Sequence, residues 1–495
     1  MPVTKLLIAN RGEIACRIIR TCREMDIPTV AVYSDADRGG MHVRLAVWSF
    51  PIGPTPSRES YMRVDRILEV AKRTGADALH PGYGFFSEDP EAAQKVLDAG
   101  LTWIGPSPEA LRIMGDKVQA REFAQKLGIP VLPGIHEAMD DEALIQKARE
   151  LDYPLMVKPV VGRDGKGLRM ARTEAELRRA LPRVKGDAVF SFWDDRIYLE
   201  KMLPKARHIE VQVFGDTHGN YVYLWERDGS VQRRFQQVAE EAPSPFVTPE
   251  LRTQLGEAAV ALARALNYVG AGTVEFLLDE DHRFYFLEMT CRIQGSHGLT
   301  EWITGEDLVR WQVRVARGEA LPLRQEEIPL RGHAIQCRMN AEDPDRDWAP
   351  SSGRLNYLRL PSGRNVRNDS GVYPGWELNP FYAPILSKLS TWGPNRDLAL
   401  ARMHAALSEY RIGGVRNNTA FHKALTEHRP FLKGDYHTGI LDHPWWKQRG
   451  IGPNLKFAVA VALFDELERE EQRAQQPAGG TGSQAWKLHG RINRL

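Results

Sequence analysis

The hairpin Ala271–Thr290 carries the sharpest chemical signal in the sequence. With its turn centred on Asp281-His282, Glu275 lies directly opposite Glu288, and alternation puts Thr273, Leu277, Phe284, Phe286 and Thr290 on the same face. Like charges opposed within about 5 Å are destabilising and need a compensating cation. Mg²⁺ suits such a pair, because it takes one or two carboxylates and fills its octahedron with waters and substrate phosphates. The alternative is a carboxylate that faces solvent, or a turn of odd length that shifts the register. A second signal is VVGRDGKGLR (160–169), directly after the apolar run that carries Lys158. Its closely spaced glycines let backbone N–H groups approach phosphates. The segment lacks the GKS or GKT ending of a P-loop and no helical pattern follows it, so alone it also reads as a hairpin loop. Lys117, Lys158 and Lys201 supply cations. With the loop and the hairpin acids they make the inventory of an ATP·Mg²⁺ site. Arg292 and Arg338 sit in apolar contexts, where an arginine needs an anion or a carboxylate. One reading is a structural ion pair; the other is a fork that stabilises developing oxyanion charge.

The elements that must position these residues change texture along the chain. In the first hundred residues, KLLIAN (5–10), PTVAVYS (28–34), ADALHP (76–81) and LTWIGP (101–106) are apolar runs of strand length. The amphipathic stretches Glu13–Met25, Tyr61–Arg73 and Pro90–Ala99 separate them. Such alternation reads as a parallel, doubly wound sheet with its ligand crevice at the strand ends. No GxGxxG follows the first strand, which weakens a dinucleotide reading. From about Lys117 to Gly305 longer strands are expected, over 153–160, 167–172, 196–203, 207–215, 220–228, 271–278 and 283–289, with one clear helix over Pro249–Leu266. A third α+β region spans 332–443. After it come an apolar helix (Leu455–Glu468), a Pro-Ala-Gly-Gly-Thr-Gly-Ser linker (477–483) and a basic tail that reads as a docking segment or a frayed terminus.

Composition bounds the function. The chain has 495 residues, 42% hydrophobic and 26% charged, enough for a real core in about two to four domains. Lys+Arg 66 against Asp+Glu 64 gives a formal charge of +2, which argues against nucleic-acid binding by bulk charge. Cys16, Cys22, Cys291 and Cys337 contain no CxxC and read as reduced thiols, as expected of a cytoplasmic protein. The longest apolar run, Phe457–Phe464, is far short of the ~18 residues of a membrane span. No secretory signal is expected from MPVTKLLIANRGE.

IANRGEIACRIIR, HPGYGFFSE, MGDKVQAR, YLEKML with RHIEVQV, WERDGSVQRR, GTVEFLL, FYFLEM and CRMNAEDP, in this order from about Lys5 to His443, resemble biotin carboxylase. That is the ATP-grasp subunit or domain of biotin-dependent carboxylases such as acetyl-CoA or pyruvate carboxylase. The resemblance implies an α/β and α+β protein. A Rossmann-like pre-ATP-grasp domain (1–113) would precede an ATP-grasp domain (114–318) with a mobile lid (about 130–203) and a biotin-carboxylase-type C-terminal domain (330–446). Residues 447–495 would add a helix, linker and tail. It implies ATP- and bicarbonate-dependent carboxylation of biotin through carboxyphosphate. By position Lys117, Lys158, Asp164, Gly165, Glu200, Lys201, Leu203, His208 and Gln232 would contact ATP, and Glu275 and Glu288 would hold Mg²⁺ or Mn²⁺. Arg292 matches the catalytic, bicarbonate-binding arginine and Arg338 the arginine that stabilises the biotin enolate. Tyr83 and Gln294 match residues near biotin. The Met-Lys-Met biotin-acceptor motif is absent, so biotin would arrive on a separate carrier protein. A carboxyltransferase subunit and a homodimer are the other partners implied.

Departures from the family pattern concentrate at bicarbonate activation. Where the family has RRHQK, this chain has Arg233-Arg234-Phe235-Gln236-Gln237, without the nucleotide-side histidine and the bicarbonate-site lysine. Where it has EMNTRIQVEH, this chain reads Glu288-Met289-Thr290-Cys291-Arg292-Ile293-Gln294-Gly295-Ser296-His297. Ser296 replaces the glutamate that deprotonates bicarbonate, and a hydroxyl is no base for that proton unassisted. Thr290 replaces an asparagine beside the metal, Gly295 falls next to the lost base, and Ala383 replaces an aspartate. Three readings follow: a biotin carboxylase with a substituted base, a ligase for another carboxylate, or a non-catalytic nucleotide-binding subunit of a carboxylase assembly.

Overall fold

The structure, a computed structural model, describes residues 3–446 apart from 138, 163, 164, 166 and 193. Asp164, the helix expected over Leu455–Glu468, the linker and the tail lie outside the described residues. Among the described residues no helix is long and apolar enough to cross a membrane. The four cysteines are unpaired and buried.

The N-terminal alternation folds as a five-stranded sheet of β1 (Leu6–Ile8), β2 (Thr29–Ser34), β3 (Trp48–Gly53), β4 (Ala78–His80) and β5 (Thr102–Trp103). All neighbours are parallel, in the order β3-β2-β1-β4-β5. The expected helices form as Gly12–Glu24, Val64–Thr74 and Pro90–Asp98. Helix Gly12–Glu24 buries Ile14, Ile18, Ile19 and Cys22 at helical spacing against the sheet. Strand β3 was not anticipated. Pro51 interrupts its apolar run, and the sheet tolerates a proline there because β3 is an edge strand.

A second, four-stranded antiparallel sheet contains β6 (Gly134–Ile135), β7 (Leu155–Pro159), β8 (Arg169–Ala171) and β9 (Ile197–Lys201), in the order β6-β9-β7-β8. It packs on the helices Asp141–Ala148 and Glu174–Phe192 around its own core of Leu144, Ile145, Leu155, Val157, Leu177 and Leu181. The helix Glu174–Phe192 was missed in the sequence. Pro182 stands inside it, and a proline within a periodic run normally ends a helix.

The largest sheet has eight antiparallel strands: β10 (Arg207–Gly215), β11 (Tyr221–Arg233), β12 (Gln236–Ala242), β13 (Gly270–Leu278), β14 (Phe284–Thr290), β15 (His333–Asn340), β16 (Val366–Ser370) and β17 (Ile385–Gly393). Their order is β14-β13-β10-β11-β12-β15-β17-β16, so the pairing of β12 with β15 carries the sheet across position 330. Glu275 pairs with Glu288, but not through a turn centred on Asp281-His282: Leu278 pairs with Phe284 and the Asp279 N–H donates to the Arg283 carbonyl, which makes a three-residue turn of 280–282. Beyond that pair the register slips by one, because Phe276 pairs with Phe286 and leaves Leu287 as a bulge. Phe284 and Phe286 therefore leave the carboxylate face, contrary to strict alternation. Phe286 is buried in the core with Phe276, and Phe284 stands edge-on to Phe276 at 5.4 Å.

Glu241 of β12 fastens this sheet to its surroundings. It accepts from His333 Nε2 at 2.5 Å, Arg396 Nε at 2.7 Å and Tyr436 Oη at 2.6 Å, on three separate segments. Burial opposes its charge, yet His333 and Arg396 hold its pKa at about 2, against an ordinary 4.5. A depressed carboxylate contributes stability above its unfolded pKa and loses it as pH falls through the folded value. Chemical denaturation should accordingly show a stability loss of about 3 kcal/mol between pH 4.5 and 2 that is absent in Glu241→Gln. At pH 7 that variant should be less stable by a similar amount. Equal stabilities at pH 7 would contradict the assignment.

Candidate active site

One cavity of about 710 Å³ opens between the three sheets, a size that suits a small-molecule ligand. The helix Lys117–Lys126 starts at it, with Asp116 Oδ1 accepting the N–H of Val118 and Gln119 at 3.0 Å each. That cap aims Lys117 at the hairpin, where it forms an ion pair with Glu288. Burial is the largest influence and lowers the Lys117 pKa, but Glu288, Glu275 and Glu200 together raise it above the ordinary value. Lys158 of β7 and Arg121 both pair with Glu200 of β9, which is 1% exposed. Burial drags the Lys158 pKa down in spite of Glu200. Glu275 accepts from His208 Nε2 at 2.7 Å, Thr290 Oγ1 at 2.6 Å and Gln294 Nε2 at 2.8 Å. Burial works against charge on His208, but the hydrogen bond and charge of Glu275 prevail and push its pKa up to about 9. The Gln232 amide lies 2.5 Å from the other ring nitrogen. Two adjacent carboxylates, each held by one protonated partner, are hard oxygen donors that fit a divalent cation.

Lys201 points the other way. It sits on the face of β9 opposite Glu200 and donates to the carbonyls of Leu151 and Asp152 at 3.1 and 3.0 Å. Leu203 lines the cavity with Met202. Gly165 has φ +69°, and a Cβ there would stand 2.9 Å from Cβ of Phe235. The glycine thus lets the small sheet's loop close on the tip of the β11–β12 hairpin. Phe235 is half-exposed at that tip.

At the far end Tyr83 lies under two cations, Arg292 at 5.8 Å and Lys388 at 5.4 Å. Arg292 donates to Glu88 at 3.1 Å. Arg338 donates to Glu240 and to Gln237 Oε1, both at 2.6 Å. Gly295 lines the wall beside them. Between the two ends runs a buried chain. Arg227 donates to Glu210 (3.0 Å), Gln212 (2.8 Å), Thr300 (2.8 Å), Thr273 (3.1 Å) and Gln294 (2.5 Å), which uses every N–H of its fork. Gln237 also donates to Glu210, and the fully buried Ser296 hydroxyl donates to Glu210 at 3.1 Å. Gln294 is therefore held by Arg227 and Glu275 rather than left free in the cavity.

Sequence comparison agrees with this geometry. Residues 2–111 match the description Biotin carboxylase, N-terminal domain; 116–324 match Carbamoyl-phosphate synthase L chain, ATP binding domain; 336–443 match Biotin carboxylase C-terminal domain. Biotin carboxylase 1 of Bacillus subtilis (strain 168) is 46% identical over 442 residues, 89% of this chain and 98% of that protein. The chain belongs to the biotin carboxylase family. The methylcrotonoyl-CoA carboxylase subunit alpha of Rattus norvegicus is 48% identical over 89% of this chain, which spans 62% of that longer protein. Among solved structures, a biotin carboxylase–β,γ-ATP complex from Campylobacter jejuni superposes with TM-score 0.87 at 39% identity, covering 89% of this chain and 99% of that one. The biotin carboxylase domain dimer of Hydrogenobacter thermophilus 2-oxoglutarate carboxylase, with MgADP and bicarbonate, gives 0.87 at 40%, over 89% and 97%.

Several residues of this biotin carboxylase site escaped the sequence reading. Alternation in HIEVQV puts His208, Glu210 and Gln212 on one face, and that signal was available for Glu210. Arg227 then falls opposite Glu210 in the register. Glu13 closes the Asn10–Glu13 run at the expected ligand crevice and Glu88 the HPGYGFFSE run, though neither gains a role from the sequence, and nothing local marks Lys388. The departures prove to be accommodated: Thr290 bonds Glu275, and Ser296 and Gln237 bond Glu210. Ser296→Glu alone would bury a second carboxylate against Glu210, so it should lower stability by about 1–3 kcal/mol. Gln237→Lys added to it should recover most of that loss in thermal unfolding. Equal melting temperatures for the single and double variants would contradict the shared network.

Proposed function

We propose that this chain is a working biotin carboxylase component, which uses ATP, bicarbonate and Mg²⁺ or Mn²⁺ to carboxylate biotin carried on a separate protein. The observation that carries the reading is the union, in one cavity, of Lys117, Lys158, Glu275 and Glu288 with Arg292, Arg338 and Tyr83. Lys117 and Lys158 bind and orient the phosphates, while Glu275 and Glu288 hold the cation, which neutralises phosphate charge. Glu200 and the 202–203 segment border the nucleotide, with Gly165 and Phe235 closing over it. Arg292, braced by Glu88, receives bicarbonate, and Arg338 stabilises enolate charge on biotin beside Tyr83. The Hydrogenobacter domain with MgADP and bicarbonate supports this order of ligands. The longer methylcrotonoyl-CoA carboxylase relatives support a carrier and a carboxyltransferase as partners, and the Hydrogenobacter dimer supports a homodimer. The domain division at 113, 318 and 446 and the mobile lid belong to the same proposal. The non-catalytic reading rests on the replaced base at Ser296 and the replaced lysine at Gln237.

Bicarbonate-dependent ADP release with free biotin or a biotinylated carrier is the direct test. ADP release indifferent to bicarbonate would sink the proposal. Calorimetry with a non-hydrolysable ATP analogue should show Mg²⁺-dependent binding, weakened roughly tenfold or more in Glu288→Gln. Hydrogen exchange in the described part of 153–196 should slow when ATP binds, as in a lid that excludes water. Unchanged exchange with bound nucleotide would remove the lid assignment.

A further inference from the structure

Joining bicarbonate to ATP forms a bond between a bicarbonate oxygen and the γ-phosphorus and breaks the bond from that phosphorus to the ADP oxygen. The bicarbonate O–H proton must go to a base. Ser296 does not supply one: its hydroxyl is spent on Glu210, which lies behind it and already accepts from Arg227 and Gln237. Six glutamates and no aspartate line the cavity among the described residues. Five of them accept hydrogen bonds: Glu88 from Arg292 and the Cys291 N–H, Glu200 from Arg121 and Lys158, Glu275 from His208, Glu288 from Lys117, and Glu342 from Asn340.

Glu13 is the sixth. It is 3% exposed, and neither carboxylate oxygen meets a hydrogen-bond donor among the described residues. Lys388 Nζ stands 3.1 Å from its Oε2, off any hydrogen-bond direction, and is equally without an acceptor. A buried ion pair kept for stability needs aligned geometry and satisfied lone pairs, because desolvation otherwise outweighs the attraction. This pair has neither, and both residues belong to the wall of the cavity that contains Tyr83 and Arg292. The Lys388 ammonium lies over the same Tyr83 ring as Arg292, and its Cδ is 4.0 Å from where a Cβ on Gly295 would stand.

We propose that Glu13 is the base of this cavity, taking the bicarbonate proton that Ser296 cannot, with Lys388 beside it as its charge partner. The proposal rests on the biotin carboxylase reading above. The charged groups that face Glu13 are Lys388 from β17, Asp369 from β16 and Arg338 from β15, with Arg11, Asp37 and His42 across a side cavity. Asp369 is neutralised by Arg367. Burial raises the Glu13 pKa more than Lys388 lowers it, so proton acceptance falls above the usual carboxylate range. A base works only when ionised, so turnover should rise with pH through that value.

The test is bicarbonate-dependent ADP release in the presence of biotin from about pH 6 to 9, beside calorimetric binding of the Mg²⁺-complexed ATP analogue. Glu13→Gln should lower kcat by about 10²-fold or more, erase the acid limb and leave analogue binding unchanged. Glu13→Asp should keep the limb and part of the rate. Adding Ser296→Glu with Gln237→Lys to Glu13→Gln should restore roughly tenfold or more. Glu13→Gln turning over within about threefold of the parent, with the same limb, would overturn the inference. So would loss of analogue binding together with turnover in both Glu13→Gln and Glu13→Asp, which would assign the pair to the fold. A parent chain that releases no ADP in response to bicarbonate would instead strike the reading beneath it.

Discussion

The fork of Arg227 is the contact on which the rest of the cavity depends. A guanidinium with no exposure to water requires a partner for each N–H, and here five side chains from two strands, one helix and one loop supply them. Those partners are the groups that set the floor. Glu210 fixes Gln237 and Ser296, and Gln294 fixes Glu275. Through them the Glu275–Glu288 hairpin and the arginine end are joined by continuous hydrogen bonds.

Around that fork the cavity is built by matching each buried carboxylate to a cation: Glu288 to Lys117, Glu200 to Lys158 and Arg121, Glu275 to His208. Unmatched, these acids would oppose folding of the very strands that carry them. In the proposed site Lys117 and Lys158 would turn to phosphates and Glu275 and Glu288 to the cation, so ligand binding would exchange partners instead of creating charge. This chain's departures from the family pattern at 237, 290 and 296 leave this matching intact. They remove a proton acceptor, not the scaffold.

Much of this was legible in the sequence, and the reasons are local. The pairing of Glu275 with Glu288 was expected from a two-residue turn, but the turn has three residues, 280–282, and the bulge at Leu287 shifts the register back so that the two acids still meet. The bulge itself has no sequence signal, so Phe284 and Phe286 were placed on the wrong face. The parallel N-terminal sheet was legible because its strands are buried apolar runs separated by amphipathic helices, whereas the Pro51 edge strand and the Pro182 helix obey tertiary packing over local propensity. Lys201 shows a different limit: a lysine in a strand has two faces to choose from, and the carbonyls of Leu151 and Asp152, some 50 positions away, decide it. Glu13 and Lys388 meet across 375 residues of sequence, and no spacing rule reaches that far.

The partner exchange is tested most directly by a crystal structure with Mg²⁺ and a non-hydrolysable ATP analogue. The account predicts Lys117 and Lys158 turned from Glu288 and Glu200 onto phosphate oxygens, Glu275 and Glu288 on the cation, and all five Arg227 hydrogen bonds unchanged. Phosphates bound elsewhere with Lys117 still on Glu288, or an Arg227 fork rearranged by the nucleotide, would contradict it.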